Sequence, residues 1–332
     1  MAKIVAEDNR LTLVDVMQGL AMVLVIIGHH LFDFMPGEYR LCHTYIYTFH
    51  MPFFISISGF LIAYSYKNVN YGTYIAKKFH KFFLPYIIVG LVITLLAAIK
   101  LGWDTVPENL IALIIAPKQS EATFLWYIYL LFIFYMIYPV LDYVKKRKDK
   151  WLHVIYVIGI VLYLFPVESG ILCLDYLTRY FVFFIIGIIT AWHFRQLKEH
   201  VTSIYYLSIV FLLFFILASI FYLKGEYSIR ILLPFLSIPA LYSICLLLIK
   251  MPVIRKTLVY ISRNCFKIYL VHMFFIQAAA SVIMYLFHVS TLSVLQSVVF
   301  VVISSTISII GSVYTFEVLR IISSKVRLKL NK

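Results

Sequence analysis

The sequence predicts an all-α fold: a polytopic membrane helix bundle of about ten transmembrane helices, with both termini in the cytoplasm. Three observations carry that prediction. Of 332 residues, 63% are hydrophobic and 13% are charged, and the mean hydropathy is +0.95. A water-soluble chain of this length does not need so much apolar surface, so lipid is its main solvent. Ten apolar runs are long enough to cross roughly 30 Å of hydrocarbon at about 1.5 Å per residue. Finally, 23 of the 29 Lys and Arg fall on one side of that ten-span frame and six on the other. An even number of spans then puts both ends on the positive, cytoplasmic side. The formal charge of +14 is explained by this distribution, which argues against a nucleic-acid partner. The whole chain, 1–332, reads as one membrane domain with no appended soluble domain.

The first run, near 11–32, contains "VDVMQGLAMVLVIIGHH". No small-residue cleavage site follows it, so it reads as a retained helix rather than a signal peptide. At about 100° per residue, Asp15, Gln18, His29 and Asp33 fall within a sector of about 60°, whereas His30 lies about 120° from Gln18. Ionisable groups facing lipid cost several kcal/mol, so this stripe should face the bundle or a wet cavity. The alternative for each residue is hydration near an interface.

The second run, 44–66, opens with "YTFHMPFFISISGFL", which places His50 near its outer end, level with His29. Pro52 sits in its first turns, where proline is tolerated. Ser56, Ser58 and Gly59 allow close helix approach. The third run, 82–101, is preceded by "AKKFHKFFLPY". There Lys78 and Lys81, at i and i+3, share a face. They are either inner-side anchors or contacts for the phosphates of a cytoplasmic donor. "DTVPENLIALIIAPKQ" (104–119) is too short to span and reads as an outer interfacial or re-entrant helix. The fourth run, 122–144, carries Trp126 near the outer interface, the usual place for a belt aromatic.

Five runs follow near 151–167, 176–194, 202–223, 229–249 and 265–287, and a tenth near 293–319. "MPVIRKTLVYISRN" (251–264), before the ninth run, is basic and amphipathic and should lie on the inner surface. "CFKIYLVHMFFI" sets His272 inside the ninth run as a further intramembrane imidazole. The four cysteines, at 42, 173, 245 and 265, lack metal-type spacing, and no metal site is expected. Cys42 and Cys173 fall on the outer side, where a disulfide could form.

In this order, "DVMQGLAMVLVIIGHH", "FHMPFFISISGFL", "KFHKFFLPY", "LWYIYLLFIFYMIYP", "YFVFFIIGI" and "CFKIYLVH" resemble the acyltransferase 3 family of bacterial integral-membrane acyltransferases. The likeness runs from residue 10 to about 290. It implies a multi-pass protein of the bacterial cytoplasmic membrane. It implies transfer of an acyl group, usually acetyl, from cytoplasmic acyl-CoA to a hydroxyl of a cell-envelope sugar or glycolipid, with no bound cofactor. The family's first helix carries Arg or Lys, ten residues, then His. His29 matches the histidine, while Gln18 stands where the cation is expected. The family's basic pair before the third helix maps to Lys78 and Lys81.

On this reading His29 is the general base, since an imidazole ordinarily titrates near pH 6.5, and Asp33 fixes its tautomer. Asp15, Gln18, Lys78 and Lys81 hold the donor. His30, His50, Trp126 and His272 line the acceptor pocket. A transporter or flippase, or a scaffold that has lost its donor site, are the competing readings, and a homodimer is left open.

Overall fold

The computed structural model describes residues 2–67, 69–147, 151–193, 204–224, 227–287 and 290–330. It is all-helical, with fourteen α-helices and no strand among the described residues. Seven helices are long and apolar enough to cross a membrane: Gly37–Ser65 (across a short turn), Tyr71–Leu101, Thr123–Arg147, Ile171–Trp192, Ile231–Leu248, Cys265–Tyr285 and Val294–Lys325. Three shorter apolar helices, Thr12–Gly28, Trp151–Leu164 and Ile209–Ile220, accompany them.

The chain divides into two compact units, 1–54 with 204–332, and 55–203. The first unit holds α1 (Ala2–Gly28), α2 (Gly37–Tyr47) and the start of α3 (His50–Ser65). It also holds α10 (Ile204–Lys224), α11 (Tyr227–Leu248), α12 (Pro252–Arg263), α13 (Cys265–Phe287) and α14 (Val294–Leu330).

The last helix shows lipid acting as the solvent. Ser297, Ser304, Ser308 and Ser312 are at most 1% exposed, and they share one face. On the opposite face Leu295, Val302 and Ile310 are 59–74% exposed. Polar residues in and apolar residues out is the pattern of a helix surrounded by hydrocarbon.

The first helix ends earlier than predicted, at Gly28 rather than near residue 32. Its last carbonyls, which no further turn can satisfy, are taken by groups of other segments and of the turn itself. The Tyr39 hydroxyl donates to the Ile27 carbonyl (2.6 Å), His30 Nδ1 to that of Ile26 (2.8 Å), and the His43 ring to that of Gly28.

The basic amphipathic segment forms α12, which buries Leu258, Ile261 and Ser262 and packs along α1. Gly19 makes this approach close. A Cβ there would lie 2.2 Å from the Leu258 carbonyl oxygen.

The second unit contains the rest of α3 and α4 (Tyr71–Lys78), followed by a π turn at Phe79–Phe83. It continues with α5 (Leu84–Leu101), α6 (Val106–Ile115), α7 (Trp126–Arg147), α8 (Trp151–Leu164) and α9 (Leu174–Trp192). Helices α3 and α9 meet through small residues. A Cβ on Gly59 would lie 2.2 Å from the Phe184 carbonyl oxygen, and one on Gly187 would lie 1.9 Å from that of Ser56.

Segment 104–119 forms α6, which packs against α5. The Leu113 carbonyl accepts a bond from the Tyr86 hydroxyl (2.6 Å), and the Leu113 side chain fills the space over Gly90. Tyr86 and Gly90 lie about 16–22 Å before the end of α5 at Leu101. Helix α6 therefore folds back along α5 instead of lying flat at its tip. The Tyr129 hydroxyl holds it from the other side through the Ile114 carbonyl (2.8 Å).

Candidate active site

The end of α1 brings together imidazoles that are far apart in the sequence. The His29 ring lies 5.1 Å from that of His272 on α13. His50, His30 and His43 are close enough to act on it electrostatically. Gly28 shapes the approach, because the Tyr47 ring occupies the space where a Cβ would stand, 2.9 Å away. That tyrosine is flanked by His43 at 4.1 Å and His50 at 4.6 Å.

Their tautomers follow from their partners, since a carbonyl can only accept. Nδ1 of His30, His50 and His272 faces the carbonyl of Ile26, Ile46 and Tyr269 at 2.8–2.9 Å. Each Nδ1 therefore carries the proton, and each Nε2 presents a lone pair.

Exposure separates these rings. His30 and His272 are fully buried and His50 is 4% exposed, whereas His29 is only half-buried. Among the described residues, the His29 ring nitrogens have no hydrogen-bond partner. His43 is half-buried too, but its ring is bonded to the Gly28 carbonyl, so His29 is the half-buried ring of the cluster that no hydrogen bond holds among the described residues. Sequence reasoning missed His43 and Tyr47, although 43, 47 and 50 at i, i+4 and i+7 mark one helix face. No group of three His, Cys, Asp or Glu among the described residues could hold a metal ion.

Asp15 and Gln18 share a face as predicted, but they face α12. The Ser262 hydroxyl lies 3.1 Å from Asp15 Oδ1 and 2.8 Å from Gln18 Oε1, and donates to one at a time. Arg263, the next residue, is near enough to act on the Asp15 charge.

Asp33 departs from its predicted place. Its position at about 0° on the wheel assumed a helix running past residue 32, but α1 has already ended. The Asp33 side chain is fully exposed, and its carboxylate pairs with Arg40 at 3.8 Å. It therefore does not orient His29. His30 is a core residue, packed edge-on against Phe300 (5.7 Å) and Phe32 (6.5 Å), and it lines no open pocket.

Lys78 and Lys81 belong to the second unit, and the π turn begins between them. The Lys78 ammonium sits among three aromatic rings, 4.0 Å from the centre of Tyr135, 5.2 Å from Tyr74 and 5.8 Å from Phe82. Lys81 is the exposed member of the pair. Its ammonium lies 5.1 Å from the centre of the Phe82 ring, which Lys78 also faces, so the two lysines stay neighbours across the π turn.

Trp126 is half-buried. It lies edge-on to Tyr176 (4.4 Å) and stacks on Tyr180 (5.6 Å). Next to this cluster Lys118 is ion-paired with Asp175 and lies over the Tyr176 ring at 3.7 Å. Burial works against the Lys118 charge, but the Asp175 and Tyr176 contacts outweigh it and hold the ammonium above the usual lysine value.

All four cysteines are free. Cys42 and Cys173, whose pairing the sequence left open, are not joined: Cys42 is exposed, while Cys173 is buried in the left-handed turn before α9.

The comparison with family models matches the acyltransferase 3 family, described as an acyltransferase domain, over residues 12–317. No curated protein and no solved structure matches. The matched region takes in α1 with its histidine pair, the imidazoles of α2, α3 and α13, and the apolar helices around them. The chain belongs to the acyltransferase 3 family, and it is a multi-pass membrane acyltransferase.

Proposed function

We propose that the chain transfers an acyl group, acetyl first among them, from cytoplasmic acyl-CoA to a hydroxyl of a cell-envelope sugar or glycolipid. It would act in a bacterial cytoplasmic membrane, as ten spans with both termini inside, and acyl-CoA would be its co-substrate. The observation that supports this reading is His29: a half-buried imidazole with no hydrogen bond among the described residues, in a cluster whose other rings are engaged with carbonyls and tyrosine. A general base must be reachable by the hydroxyl it deprotonates.

In the proposed step a His29 ring nitrogen takes the acceptor's proton as its oxygen attacks the thioester carbonyl. The C–S bond breaks, and the proton passes from the imidazolium to the departing CoA thiolate. His272 and His50 hold the site's shape.

The test is thiol release from acetyl-CoA by the purified protein, with and without a panel of envelope-type glycans. His29→Ala should lower turnover by about a hundredfold or more while leaving thermal unfolding unchanged. An enzyme that works as well without this ring would overturn the assignment. So would a protein that releases no thiol from any acyl-CoA but moves a solute across a vesicle membrane.

A further inference from the structure

Helix α12 is amphipathic for two purposes. Its buried face, Leu258, Ile261 and Ser262, docks on α1. Arg255, Lys256 and Arg263 fall on the adjoining side, within about 100° of one another at about 100° per residue, with Arg255 at the edge of the buried face. That face, with Lys250 from the end of α11 and Thr12 from α1, lines a cavity of 790 Å³. The volume lies within the range of small-molecule sites.

All four cations are exposed. None forms a salt bridge with a carboxylate among the described residues, although Asp15 lies near Arg263. Four like charges around one concavity repel one another unless an anion fills it. Cations that merely anchored the helix at a surface would point outward, not converge. Two of the four are guanidiniums, whose planar fork matches phosphate oxygens in pairs. Tyr260 adds an aromatic side chain to the lining.

We propose that this cavity is a phosphate-ester binding site, holding its ligand through Arg255, Lys256, Arg263 and Lys250. The phosphate can come from a soluble nucleotide such as CoA or from an anionic lipid headgroup. Only the choice of CoA as the soluble source rests on the proposed function.

The test uses the full chain in discs of neutral phosphatidylcholine, with coenzyme A as the probe. Arg255→Ala with Lys256→Ala should weaken CoA binding about tenfold or more, the loss of at least one charge-assisted contact. The charge-preserving pair, Arg255→Lys with Lys256→Arg, should recover most of it. Raising salt should weaken binding to the wild type. If the double alanine variant does not fold, Lys250→Ala serves in its place, since that residue lies outside α12.

A parallel arm measures retention of phosphatidylglycerol by the same variants. Loss of CoA binding supports the site with a soluble ligand, and loss of phosphatidylglycerol alone supports it with a lipid ligand. If neither changes, the proposal is overturned and the four cations serve topology only. The two readings fail separately. His29→Ala should leave CoA binding intact, so an active enzyme indifferent to the α12 variants sinks only this inference. A protein that binds CoA through α12 but transfers no acyl group sinks only the proposed function.

Discussion

A single methyl group at Gly19 should separate α12 from α1. The Cβ of an alanine there would lie 2.2 Å from the Leu258 carbonyl oxygen, 2.8 Å from its carbonyl carbon and 2.9 Å from its Cα. Ordinary contact begins at 3.4 Å, so α12 has to retreat by about 1.2 Å. The obstructing atoms are backbone, and no rotamer change relieves them. Overpacking of this kind costs about 1–3 kcal/mol. The retreat also stretches the Ser262 bond to Asp15 and Gln18, which contributes about 1 kcal/mol. Alanine's better helix propensity returns about 1 kcal/mol.

The net loss is therefore about 1–3 kcal/mol, roughly 2–12 °C in melting temperature at about 2–4 °C per kcal/mol. Thermal unfolding of Gly19→Ala in detergent measures it. Gly37→Ala, with nothing within 4 Å of its Cβ, is the control and should be neutral. Because α12 carries the cations of the phosphate site, Gly19→Ala should also weaken CoA binding. A Gly19→Ala protein that melts with the wild type would refute the close backbone contact on which the α1–α12 pairing depends.

Two further variants separate packing from chemistry around the same helix end. His30→Ala removes a fully buried ring from between Phe32 and Phe300; it should cost about 2–3 kcal/mol yet keep turnover per folded molecule, as specific activity and melting temperature together will show. Asp33→Ala deletes only an exposed pair with Arg40, worth at most about 1 kcal/mol, and should leave kcat unchanged; a loss as deep as that of His29→Ala would place the carboxylate back beside the imidazole.

The apolar runs and the basic amphipathic segment were legible because each rests on local composition and period. One error came where a local rule was carried past a break. The helical wheel placed Asp33 beside His29, but the chain leaves the helix at Gly28, so periodicity no longer applies. The i, i+3 rule paired Lys78 with Lys81, and the two still share the Phe82 ring, but the π turn between them and the Tyr74 and Tyr135 rings around Lys78 were not legible. The ring partners of Trp126, Tyr176 and Tyr180, come from α9 and carry no local signal. Ser262 could not be found from the sequence at all. It lies 244 residues from Gln18, and a lone serine on an amphipathic helix carries no local signal. His43 did carry one, through its spacing with Tyr47 and His50.

The polar residues of α1 can now be sorted by what each one does. A membrane helix keeps a polar side chain where a partner satisfies it or where it has work to do. Asp15 and Gln18 share the Ser262 hydroxyl, and His30 Nδ1 is bonded to the Ile26 carbonyl. These contacts account for Asp15 and Gln18, while His30 Nε2 stays buried with no hydrogen bond among the described residues. His29 is left with exposure, neighbouring imidazoles and no hydrogen bond among the described residues, which suits a group that meets substrate. The same sorting explains how Gln18 can stand where the family resemblance expects a cation. An arginine there would compete with Ser262 for Asp15 and would add a fifth positive charge next to Arg263. The neutral amide instead holds α12 in place through Ser262, and α12 itself carries the positive charge, beginning at the adjacent residue. Donor binding on this account depends on the pairing of two helices, so breaking it at Gly19 should matter as much to binding as removing a cation.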